Sequence, residues 1–354
     1  MQPFKLNAVF YMNQMYSAIS NQDRRRVIER CYWPLLELIE TDIPINIQIS
    51  GLSLEIIHRL DRSWIERLRQ CLVRNRCELI GNGYAQVIAP LAPAKVNHLN
   101  LILGNDVYQS ILGLKPTIAT VNEMAYSPGI VEHFVNAGYR ALYVEWNNPW
   151  RFHPEWHPNW RYYRQEAAGA SGHTIPIVWV DSIASQKFQR HAHGELELDE
   201  YASFLAVHAA KAPDGYLCMY ASDTEVFDYR PGRFSTEAQI SAESEWRIIG
   251  RLFEHLVSDG RFEFSIASDI IAMERPQCSD NLLRLDCAAQ PIPVKKQEKY
   301  NLYRWALTGR SDLETNTKCY AIYKPVSYTH LTLPTTTALW GWGGGGGGGC
   351  GGGG

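Results

Sequence analysis

From residue 6 to residue 220 the chain alternates short strand-forming runs with longer stretches of helical spacing, and nothing else in the sequence restricts its fold so sharply. Residues 6–14 read as a strand. They are followed by a helical pattern over Asp23–Glu40 that Pro34 must kink or restart, because its ring clashes with the preceding turn. Ile43 to Ile49 then alternates at period two as a second strand, and helices are expected over 53–60 and 63–75. The pattern continues with strands at 77–80, 117–121, 141–144, 175–180 and 216–220. Helices are expected at 95–111, 130–137, 198–211 and 241–257. About seven strands separated by helices describe an α/β protein with a parallel sheet, either closed as a barrel or open. Residues 1–275 form this unit, and 276–324 begin a helical region in which Leu302, Trp305 and Ala306 are apolar. From Pro325 the chain turns into a Thr- and Gly-rich tail resembling translated adapter sequence. Residues 325–354 are therefore expected to be non-native and disordered, with a different natural continuation after about Lys324.

A net charge of -3 gives no electrostatic reason to expect nucleic acid as a partner. No uninterrupted apolar stretch reaches membrane-spanning length, and the N-terminus runs into a strand with no room for a secretory signal. The expectation is a cytoplasmic protein without a membrane partner. The eight cysteines lack the paired CxxC spacing of a zinc or redox site, so buried thiols are expected and neither a metal nor a cofactor.

In α/β barrels chemistry sits on loops at the C-terminal ends of strands. Two acids occupy such places: Glu123 in Asn122-Glu123-Met124, after the strand at 117–121, and Asp223 in Ser222-Asp223-Thr224, after the strand at 216–220. Two carboxyls facing one sugar are what glycoside cleavage needs, one to attack or orient water and one to protonate the leaving oxygen. Acids at strand ends also serve as solvated groups or helix caps, and position alone leaves those readings open.

The segments TVNEMAYSPGIVEHFVNAGYRALYVEW and YASDTEVFDYRPGRF resemble the nucleophile and acid/base regions of glycoside hydrolase family 57, in that order. GNGYAQVIAPLAP resembles its second motif, and KYNLYRWALTGRSDLETNTKC the helical part after its barrel. The resemblance implies a (β/α)7 barrel, retaining cleavage or transfer of α-linked oligo- or polysaccharides, Glu123 as nucleophile and Asp223 as acid/base. It also puts Asn13, Gln14, Tyr84 and Gln86 at the sugar site. Here the sequence departs from the family: Asn13-Gln14-Met15 stands where His-Gln-Pro is usual, and Tyr84-Ala85-Gln86-Val87 where Tyr-Tyr-His-Pro is usual. Amides can hydrogen-bond sugar hydroxyls but cannot carry charge, so substrate electrostatics should differ.

Other features have two readings each. Residues 146–160 hold four tryptophans and two histidines, either as a carbohydrate platform led by Trp146 or as a loop packed on itself. His153 and His157 have metal spacing only on a helix, which Pro154 and Pro158 oppose. His191 and His193 are expected to be solvated. Glu225 either tunes Asp223 or binds a sugar hydroxyl, the bland alternative being a salt bridge to Arg230 or Arg233. Two further functions compete with a glycosidase. A metal-dependent polysaccharide deacetylase would want carboxylates at Tyr11–Met15, where there are none. A catalytically silent glycan-binding barrel would suit the two amides.

Overall fold

The computed structural model describes residues 3–16, 18–41, 43–230, 243–273, 283 and 311–328. Seven parallel strands close into a barrel: β1 (Phe4–Met12), β2 (Ile45–Ile49), β3 (Cys77–Gly81), β4 (Ile118–Thr120), β5 (Ala141–Glu145), β7 (Thr174–Val180) and β8 (Tyr216–Asp223). The ring shuts where β1 pairs with both β2 and β8. Two strands lie outside the expected set. β6 (Gln165–Ala168) folds back antiparallel on β7, and β9 (Phe262–Phe264) pairs with the first residues of β1. β9 occupies the base of β1 at Phe4–Leu6, while β2 takes the upper part at Val9–Met12.

Side chains alternate across the strands and sort into two compartments. Val9, Tyr11, Ile80, Ile118, Tyr143, Val178, Val180, Tyr216 and Cys218 fill the inside, joined by Ala267 and Ile270 of the helix Ala267–Ala272. Leu6, Ala8, Phe10 and Met12 face outward against the helices. The helix Glu245–Ser258 covers the outer face with Trp246, Ile249, Leu252, Phe253 and Leu256, an i, i+3, i+4 stripe. Pro34 is accommodated by a π-helical turn over Ile28–Tyr32, followed by a fresh α-helix, Trp33–Ile39, in whose first turn its missing N–H costs nothing.

One irregularity matters for function. The β1–β8 register jumps from Asn7↔Cys218 to Ala8↔Tyr220, leaving Met219 as an extra residue. Met219 and Tyr220 both face outward, whereas Cys218 and Ala221 both face inward. The bulge shifts the alternation by one residue, so Asp223 pairs with Tyr11 on the inner face.

A helix over Asp312–Tyr328 crosses the expected boundary at 324/325. Most of 276–324, Arg233, Cys278, Cys287, Cys350 and the tail from 329 lie outside the described residues. Cys31, Cys71, Cys77 and Cys218 are buried, as expected of structural thiols.

Candidate active site

Four carboxylates other than Glu225 stand at or just beyond the C-terminal ends of barrel strands: Glu123 after β4, Glu145 in β5, Asp181 after β7 and Asp223 in β8. Two of them are engaged in structure. Glu145 accepts from the backbone N–H of Asn147 and Asn148, both at 2.8 Å, and burial pushes its carboxyl up to about 7. Asp181 caps the helix Ser182–Ala192 through the N–H groups of Ile183 and Ala184, both at 2.9 Å, and pairs with Arg161 at 3.2 Å. Glu123 and Asp223 differ from both: no hydrogen bond or ion pair engages either carboxylate among the described residues. Glu123 is exposed and Asp223 half-buried.

The two act on a common neighbour. Tyr11 lies opposite Asp223 in the sheet, and its hydroxyl is held well above the ordinary tyrosine range, first by burial and then by the charges of Cys218, Asp223 and Glu123. Glu123 also occupies unusual backbone: it and Met124 have φ of 53° and 55°, a left-handed conformation that L-residues adopt at a cost.

A hydrogen-bonded arc joins the two carboxylate loops. Glu225, two residues past Asp223, accepts from the Asn13 backbone N–H at 2.7 Å and from the Tyr32 hydroxyl. Asn13 Nδ2 donates to Gln86 Oε1 at 2.8 Å, across the mouth of β2. Next to Gln86, the Val87 carbonyl accepts from Asn122 Nδ2 at 3.1 Å, and Asn122 directly precedes Glu123. Asn82 Nδ2 donates back to Asn122 Oδ1 at 3.1 Å. The close approach of the β3 loop depends on Gly104, where a Cβ would fall 2.5 Å from the Gly83 carbonyl carbon. No local pattern marks Asn82 or Asn122 as anchors, since asparagine in a loop is ordinary.

Several expectations change. Trp146 is fully buried, its ring among Trp150, Trp156 and Trp179, so it offers no face to a sugar and belongs to the loop's own packing. Gln14 is also fully buried, its backbone N–H on Ser53 Oγ at 3.1 Å. Tyr84 is half-buried with its hydroxyl on Glu55 at 3.1 Å. Arg230 pairs with buried Glu245, and the Glu225 carboxylate is held by Asn13 and Tyr32 instead. Burial, then the Asp223 charge, push the Glu225 carboxyl up to about 7. His191 is buried rather than solvated, bonded to the Leu196 carbonyl at 2.8 Å, because it ends a helix instead of preceding one. His153 lies outside any helix and pairs with Glu155. Among the described residues no three His, Cys, Asp or Glu side chains converge on a metal position, and no helix is long and apolar enough to cross a membrane.

Residues 2–278 match the family model described as glycosyl hydrolase family 57. The chain belongs to that family. Solved structures share the family 57 fold at low identity. The 4-alpha-glucanotransferase from Thermococcus litoralis superposes with a TM-score of 0.66 at 14% identity, over 93% of this chain and 47% of that one. The GH57-type branching enzyme from Pyrococcus horikoshii gives 0.67 at 11% identity, over 96% of this chain and 81% of that one. Alpha-amylase 1 of Dictyoglomus thermophilum is 25% identical over 122 residues, which cover 34% of this chain and 18% of the amylase. This family 57 chain thus spans about half the length of the glucanotransferase, and its match to the amylase is shorter still.

Proposed function

We propose that the barrel cleaves or transfers α-linked glycans by double displacement, with Glu123 attacking the anomeric carbon and Asp223 protonating the departing oxygen. The observation that carries this reading is the contrast at the rim. Glu145 and Asp181 are held by backbone N–H groups, while among the described residues nothing engages the carboxylates of Glu123 and Asp223, and both act on Tyr11. A nucleophile and an acid must keep their oxygens available to the sugar. The first displacement breaks the glycosidic bond and forms an ester between Glu123 and the sugar; Asp223 gives its proton to the leaving oxygen. In the second, Asp223 takes a proton from water or from an acceptor sugar, which displaces Glu123 with a second inversion. Family membership and the names of the glucanotransferase, branching enzyme and amylase support α-glucans as the substrate class.

The test is turnover of maltooligosaccharides and soluble amylose by Glu123→Gln, with products followed by anomeric NMR. A loss on the order of 10⁴-fold and α-configured first products are expected. Wild-type turnover by the variant, or β-configured first products, would refute the mechanism. The neutral pair Asn13 and Gln86 favours a second reading, a barrel that binds glycans without turnover. Tight maltooligosaccharide binding by the wild type with no product would select it.

A further inference from the structure

Two helices on the outside of the barrel, Trp33–Ile39 and Arg62–Val73, pack against one another and bound an open groove of about 520 Å³. The groove has an aromatic wall, and that wall is fixed. Trp33 is half-buried and donates its indole N–H to Asp61 Oδ2 at 2.8 Å. Asp61 is itself held, because its Oδ1 caps the second helix by accepting from the Trp64 N–H at 3.0 Å. The indole therefore keeps one orientation beside the groove, with little side-chain entropy left to lose on binding.

Most charges along the groove are already compensated. Arg67 donates to Glu40 at 2.7 Å and to Gln70 Oε1 at 3.2 Å, and Glu66 pairs with Arg69. Three polar groups on the lining remain without a partner among the described residues: the Glu37 carboxylate, the Ser63 hydroxyl and Gln70 Nε2. A sugar ring suits this combination. Its C–H face is apolar and lies on an indole, while each hydroxyl at its edge both donates and accepts, so it answers a carboxylate, a hydroxyl and an amide N–H alike. An amine would satisfy Glu37 but meet the Gln70 donor head-on, and a phosphate would be repelled by Glu37.

We propose that this groove is a second glucan-binding site, outside the barrel mouth, in which Trp33 stacks on a sugar ring of an α-glucan chain while Glu37, Ser63 and Gln70 bond its hydroxyls. The choice of glucan rests on the glycan-processing reading above. A polymer held there raises the local concentration of its other residues at Glu123 and Asp223, whereas an oligosaccharide too short to reach both places gains nothing.

Maltoheptaose binding is measured calorimetrically on the full chain in a Glu123→Gln background, which keeps the ligand intact. The parent should bind two molecules, and its Trp33→Ala and Glu37→Ala derivatives one each. Trp33 adjoins Tyr32, which bonds Glu225, so kinetics are read on Glu37→Ala with Glu123 restored. Its KM for soluble amylose should rise about two- to tenfold, with KM for maltotriose and kcat on both substrates within about twofold of wild type. A stoichiometry that neither variant changes, or equal rises in KM on amylose and maltotriose, overturns the proposal. So does Glu37-dependent binding of spermidine in place of maltoheptaose, which would make the groove a cation site. If Trp33→Ala does not fold, Gln70→Leu, at an exposed position, takes its place. A site lost in these variants alongside a wild type without turnover would overturn the catalytic reading alone; normal turnover with a stoichiometry they leave unchanged would overturn this inference alone.

Discussion

Glu123 and Met124 both hold left-handed backbone without being glycine, and at Glu123 the side chain is exposed, so packing gives it no compensation there. Strain of this kind concentrates at sites where it orients a reacting group. Glu123→Gly should therefore abolish turnover yet exceed Glu123→Ala in stability by about 1 kcal/mol, because only glycine adopts this φ without penalty. Urea unfolding of the two variants measures it; an alanine variant as stable as the glycine one would show that the backbone is not strained. Glu225 supplies a pH dependence. Its carboxyl is raised from 4.5 to about 7, chiefly by burial, so between those values the native state keeps a proton that the unfolded chain releases. Stability then falls as pH rises through that window, by an amount on the order of 1 to 3 kcal/mol. Glu225→Gln cannot titrate, and its Oε1 can still accept from Asn13. Its unfolding free energy should fall less between pH 5 and pH 8 than that of the wild type. Parallel curves would mean that Glu225 stays ionised throughout.

At the scale of elements, acids at strand ends take on different work according to the element that comes next in the chain. Asp181 begins a regular helix and is drawn into capping it, whereas Glu123 lies inside the short 3₁₀ turn Asn122–Met124, ahead of the Pro-Gly turn Pro128–Ile130, and no N–H group among the described residues bonds its carboxylate. Asp181→Ala should cost about 1 to 3 kcal/mol, the cap plus the lost partner of half-buried Arg161, while KM for glycans stays within about twofold. Chemical denaturation and steady-state kinetics on one preparation check both halves. The bulge at Met219 shows how an element can override its own pattern. Strict alternation from Cys218 would carry Tyr220 and Ser222 inward and Asp223 outward; the extra residue reverses this from Ala221 onward. Nothing local marks Met219 as that residue, since the bulge is defined by pairing with Asn7 and Ala8 on a strand more than two hundred residues earlier.

At the scale of the whole molecule, closure of the barrel depends on two buried asparagines. Asn46 gives Nδ2 to the Ala8 carbonyl at 3.0 Å and takes the Ala267 N–H at 2.8 Å, and Asn7 donates to the Ser265 carbonyl at 2.7 Å. They tie β2, β1 and the segment after β9 together at the base. Asn46→Leu should destabilise by about 2 to 5 kcal/mol, because it strands a buried donor and a buried acceptor. Maltooligosaccharide affinity should be unchanged at temperatures where the variant stays folded; a large change in affinity would place Asn46 in the sugar site. The sequence by itself determined the seven parallel strands, most of their helices, and the candidacy of Glu123 and Asp223, since periodicity and strand-end position are local properties of the chain. It did not reveal β6, β9, the burial of Trp146 or the use of Asn13, Gln86 and Asn122 as one arc. Those depend on which groups meet across the closed sheet. The same limit applied to the acids: a carboxylate's neighbours decide whether it caps a helix or stays open to a sugar, and only the tertiary structure brings those neighbours together.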